Sequence, residues 1–76
     1  MRNLTMEDFV LIWIKSNNGI TASQLVDKLR EKFGNEFLPT RIALMAIKYV
    51  LTEYSENIES IMGYLYWREN NETHSI

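Results

Sequence analysis

The stretch Ile58–Arg68, IESIMGYLYWR, decides the fold, because two periods compete in it. Read as strands, Ile58–Ile61 and Tyr64–Arg68 flank Met62–Gly63, a two-residue hairpin turn. Ile58 then faces Trp67 with Leu65 on their side, and Tyr64 and Tyr66 share the other face with Glu59. Read as a helix, Ile58, Ile61, Met62, Leu65 and Tyr66 fit i, i+3, i+4, i+7, i+8. The aromatic run Tyr64–Trp67 favours strand, and Gly63 is poor in a helix interior. A C-terminal hairpin is therefore expected. The helical alternative would make the chain a four-helix, all-α domain.

Upstream lies Pro39–Tyr54, PTRIALMAIKYVLTEY, which reads as a helix of about four turns. Pro39 suits the first turn, where its missing N–H costs nothing. Ile42, Met45, Ala46 and Tyr49 form one apolar row, and Leu44, Ile47, Leu51 and Tyr54 form a second. A helix apolar on two sides packs against neighbours on two sides. What remains is a thin strip of Arg41, Lys48 and Thr52, with Met45 among them. Ile42 and Leu44, which border it, are expected to turn inward.

Ile20–Phe33 carries the clearest local signals. Thr21 is the N-cap, and Gln24 completes a capping box. Ile20 and Leu25 form a hydrophobic staple around it. Ala22, Leu25, Val26, Leu29 and Phe33 make an inward stripe, and Gly34 ends the helix. Near the N-terminus, Met6, Phe9, Val10, Trp13 and Ile14 repeat at helical spacing over roughly residues 5–16. Thr5 is its cap, Glu7 and Asp8 suit its first turn, and Asn17–Gly19 stop it. The expected core is Phe9, Trp13, Leu25, Leu29, Ile42, Ala46 and Tyr49. The expected architecture is mainly α: a three-helix core with a C-terminal β-hairpin, one domain over residues 1–69, and a frayed, disordered tail at 70–76.

The chain has 76 residues and no cysteine, so disulfides and thiolate zinc sites are ruled out. A core this small leaves a net stability on the order of 5 kcal/mol or less. The formal net charge is −2, which argues against binding nucleic acid through bulk charge alone. The charge is uneven. Lys28, Arg30, Lys32, Arg41 and Lys48 make the middle mildly basic, whereas Glu53, Glu56, Glu59, Glu69 and Glu72 outweigh Arg68 at the end. Phe9–Ile14 is too short an apolar run to span a bilayer, and no signal peptide is visible, so a cytoplasmic protein without membrane contact is expected.

Catalytic patterns are missing. The glycines form no phosphate loop, and the serines have no histidine–acid arrangement to activate them. Glu53, Glu56 and Glu59 would need burial to act as an acid–base pair. His74 sits in the tail, where a metal or catalytic role is not expected. The expectation is a non-enzymatic protein without cofactor or metal.

Gly19, Ile20, Thr21, Ala22, Gln24, Leu25 and Leu29 resemble the entry to the second helix of winged helix-turn-helix domains. There a Gly–apolar–Thr step precedes a short helix, with the apolar residue in a one-residue strand. The connection Gly34–Leu38 departs from the family by being longer than its usual tight turn; Phe37 and Leu38 are expected to tuck it under the core. The resemblance implies a small DNA-binding transcriptional regulator, whose third helix enters the major groove while the hairpin, as a wing, touches the adjacent backbone. Arg41 would then read a base, because a guanidinium pairs with guanine O6 and N7. Thr40 and Lys48 would contact phosphates or bases, and Lys28, Arg30 and Arg68 would hold the DNA backbone. On the residues alone, Arg41 equally fits a surface salt bridge with Glu36 or another acid. Lys28, Arg30 and Lys32 fit a solvated face, and Met45 fits core or edge packing.

A second expectation is a protein-binding winged-helix module, an adaptor or an inhibitor from a mobile element. Its contact surface would use Leu11, Ile12, Tyr64 and Tyr66, which exceed what one small core hides. A homodimer is compatible with either function, and a structural domain of a larger assembly is the third possibility.

Overall fold

The computed structural model describes residues 4–34 and 38–69. Its elements run α1 (Met6–Ser16), β1 (Ile20–Thr21), α2 (Ala22–Phe33), α3 (Thr40–Glu53), β2 (Ile58–Ile61) and β3 (Tyr64–Trp67). The chain is a three-helix core with a C-terminal hairpin, so the competition within 58–68 is won by the strands. The tail expected at 70–76 lies outside the described residues, as does Phe37.

Side chains close the first two helices. The Asp8 N–H donates to the Thr5 hydroxyl at 3.2 Å while the Thr5 N–H donates to the Asp8 carboxylate at 2.9 Å. Thr21 and Gln24 exchange the same pair of bonds at 3.1 and 3.0 Å. Each box satisfies two donors that a helix start leaves without partners. At the end of α1, the backbone N–H and the side-chain amide of Asn17 both donate to the Trp13 carbonyl. Pro39 is the N-cap of α3 and supplies no side-chain bond; its carbonyl accepts from Ile42 and Ala43.

The sheet is antiparallel in the order β1-β3-β2, with β3 in the middle. Ile58 pairs with Trp67 and Ile61 with Tyr64, the register that a two-residue turn dictates. Met62 (φ 52°) and Gly63 (φ 87°) are both left-handed, as a type I′ turn requires. Leu65 lies opposite Ser60 on one side and Ile20 on the other, and its side chain is buried. The short β1 thus ties the α1–α2 connection to the hairpin. Gly19 makes this approach possible: its φ is +102°, and a Cβ there would stand 2.9 Å from the Tyr66 ring.

Helix α3 packs on both α1 and α2, and α1 also contacts β3. Val10, Ile14, Leu25, Leu29, Ala43 and Val50 are sealed from solvent, with Ile20, Ile47 and Leu65 beside them. Leu38, at the end of the longer α2–α3 connection, is buried as expected.

Part of the expected core is not core. Ile42 (42% exposed) and Tyr49 (54%) face outward, and so does Leu44. The reason is the narrowness of the contact. Ala43, Ala46, Ile47 and Val50 form the buried stripe of α3, and Ile42, Leu44 and Tyr49 fall outside the arc that these four span around the helix. Phe9 and Trp13 are half-buried and stack at 5.6 Å; Phe33, expected inward, is exposed and meets the edge of Phe9 at 5.7 Å. No helix among the described residues is long and apolar enough to cross a membrane.

Leu29→Ala removes a sealed side chain and is expected to cost about 2–5 kcal/mol in urea unfolding, whereas Met45→Ala, on the outer face, changes stability by no more than about 0.5 kcal/mol. Equal losses would contradict the burial described. Met62→Asn, which puts a residue tolerant of left-handed backbone before Gly63, is expected to stabilise the chain by up to about 1 kcal/mol. An unchanged or lower unfolding midpoint would show that the turn is not under this constraint.

Candidate nucleic-acid interface

The outer face of α3 is set by its buried one. Opposite Ala43, Ala46, Ile47 and Val50 lie Arg41, Met45, Lys48 and Thr52, all exposed, at i, i+4, i+7 and i+11. Arg41 and Lys48 are seven residues apart, a rise of about 10.5 Å along the axis. Ile42 and Tyr49 flank this line on one side and Leu44 on the other. The strip is therefore basic along its middle and apolar along both edges.

The positions expected to bind DNA have separate fates. Arg30 of α2 turns inward to the α2–α3 connection: its Nε donates to the Leu38 carbonyl at 3.4 Å, and its Nη2 donates to the Thr40 hydroxyl. Arg30 and Thr40 thus hold each other at the start of α3. Lys28 lies over the Trp13 ring at 5.7 Å. Arg68 donates to Glu59 at 2.6 Å, and its guanidinium sits 5.5 Å from the centre of the Tyr66 ring. That pair is about half exposed at each partner and contributes about 0–1 kcal/mol. Lys32 and Lys15 lie over Phe9 and Trp67. Among the described residues, Arg41 and Lys48 alone of the cations have no ring, hydrogen bond or ion pair. Of the salt bridges open to Arg41, the one with Glu36 lies outside the described residues, and no described acid pairs with it.

The residues expected to form a protein interface also divide. Leu11 packs against the core cluster and lines a groove of about 410 Å³ between α1 and α3, together with Glu7, Tyr49 and Tyr54. Tyr66 is half-buried and covers Gly19. Ile12 and Tyr64 are exposed. The turn adds to them: Ile61 is exposed, and Met62 is 92% exposed.

Two features went unread in the sequence. Asn57 clamps the base of the hairpin, donating through its amide to the Arg68 carbonyl at 3.1 Å and accepting the Arg68 N–H at 2.6 Å. Its own N–H donates to the Tyr54 carbonyl at the end of α3. The Asx preference of turns was the available signal for it. The Arg30–Thr40 contact, ten residues apart across a loop, had no periodic signal. Among the described residues, no three His, Cys, Asp or Glu side chains are grouped to hold a metal ion.

No protein-family model, no curated protein and no solved structure matches the chain.

Arg30→Ala is expected to lower stability by about 1–2 kcal/mol by removing the donors that fix the start of α3, measured as a lower urea midpoint. A larger loss than from Lys28→Ala is expected; equal effects would mean that the connection to α3 is held by other contacts.

Proposed function

We propose that the chain is a winged-helix DNA-binding regulator that docks α3 in the major groove. The observation that carries this reading is the pair Arg41 and Lys48. They stand on the outermost line of the central helix, free of partners among the described residues, while the remaining described cations lie over rings or are hydrogen-bonded. Unpaired cations on a helix face two turns long fit a polyanion with acceptors at its base edges. The element order and the pairing of Ile20 with Leu65 support the resemblance to winged-helix domains. So does the position of the hairpin directly after α3. In this reading Arg41, near the helix start, reads guanine, and Lys48 contacts phosphate. Arg30 and Thr40 act earlier: they orient the helix that carries both. Lys28 and Arg68 reach DNA only by leaving Trp13 and Glu59.

A second reading is favoured by one observation. The hairpin tip presents Ile61, Met62 and Tyr64 and carries no cation, which suits a protein surface better than a phosphate backbone. In that role the domain would be an interaction module, or a dimer joined through its hairpin.

Salt-titrated binding to mixed duplex DNA separates the two. Displaced counterions make DNA binding fall steeply with salt, and Lys48→Ala is expected to reduce the slope by about one unit. Arg41→Ala/Lys48→Ala is expected to keep the wild-type melting temperature and lose DNA at moderate salt, because a chain of net charge −2 has few other cations to substitute for them. Wild-type protein that binds no duplex even at low salt would end the DNA reading. Tyr64→Ser that abolishes capture of a protein partner would establish the second.

A further inference from the structure

Helix α3 is unusual for a polar recognition surface in how much apolar side chain it shows. Met45 is 59% exposed, and Ile42, Leu44 and Tyr49 are each between two-fifths and three-fifths exposed. Met45 lies between Arg41 and Lys48 on the same line, and Leu44 and Ile42 border that line. An interface formed here must satisfy both chemistries at once. A purely apolar partner would strip water from Arg41 and Lys48 without pairing them, which is costly. A purely anionic surface would leave the apolar side chains without contact. The major groove of thymine-containing DNA supplies both within one base step: guanine O6 and N7 for a guanidinium, and the thymine C5 methyl, which projects into the groove, for apolar side chains.

We infer that α3 reads a guanine through Arg41 together with thymine methyl groups beside it, through Met45 and Leu44 or Ile42. The inference rests on the DNA reading above and adds the sequence class of the target. Met45 and its neighbours become specificity residues. The buried stripe turns position 45 outward, but packing does not require a methionine there, since the side chain lies on the face opposite Ala43 and Val50.

The test begins with selection of duplexes from a random pool by the full chain. The selected duplex is then remade with deoxyuridine in place of each thymine, which keeps base pairing and removes only the C5 methyl. The expected result is a selected site with thymine within two base pairs of a required guanine. Deoxyuridine at that position should weaken binding roughly three- to ten-fold, the scale of one lost methyl contact. Met45→Ala or Leu44→Ala should bind the thymine and deoxyuridine duplexes equally while keeping the wild-type melting temperature. Wild-type binding that ignores the substitution would overturn the inference and leave the DNA reading standing. So would selected sites without thymine near the guanine. Absence of binding to any duplex at low salt would overturn both.

Discussion

The narrow contact of α3 with its two neighbours governs the rest of the molecule. Ala43, Ala46, Ile47 and Val50 form a single buried stripe of four side chains, and α3 meets both α1 and α2. A short chain gains from this, because close packing of small residues buries backbone and side chains together with few atoms. The narrow stripe leaves much of α3 uncovered. The larger residues on either side of it, Ile42, Leu44 and Tyr49, stay at the surface.

The hairpin is joined to that core by a separate device. Leu65 sits in the middle of a three-stranded sheet and brings Ile20 from the α1–α2 connection into register with β2. Only two residues of β1 take part, yet they make the hairpin part of the domain instead of an isolated two-stranded ribbon, which is marginal in water. Asn57 then fixes where the hairpin leaves α3. The left-handed Met62 at the far end is the local conflict in this arrangement. A long apolar side chain is held in a backbone region that suits glycine or asparagine, and it is almost wholly solvated. Such conflicts collect where a surface has a purpose other than stability.

Electrostatics divides the surface more finely than net charge does. The cations of α1 and α2 lie over aromatic rings, so their stems cover apolar surface while their charges stay in water. Arg30 is turned to the loop that starts α3. These arrangements leave α3 as the place where positive charge has no internal partner among the described residues. A chain of negative overall charge can in this way present one locally positive face, and the field that a partner meets is that of the face, not of the sum.

Local chemistry was legible in the amino-acid sequence. The Thr21–Gln24 box, the stop at Gly34, the aromatic alternation of Tyr64–Trp67 and the two-residue turn at Met62–Gly63 each depend on neighbours a few residues apart. Those contacts determined the helices, the hairpin and its register, and the helical spacing of Arg41 and Lys48 placed both on one face. Tertiary structure alone decided what was near what across the chain. Ile42, Leu44 and Tyr49 have the spacing of core residues, but whether they are buried depends on which arc of α3 the other helices cover. Arg30 and Arg68 look like free cations until the folded chain brings Thr40 and Glu59 beside them. Periodicity records which side chains share a face; it holds no record of which of two apolar rows the neighbouring helices cover, and tertiary packing settled that.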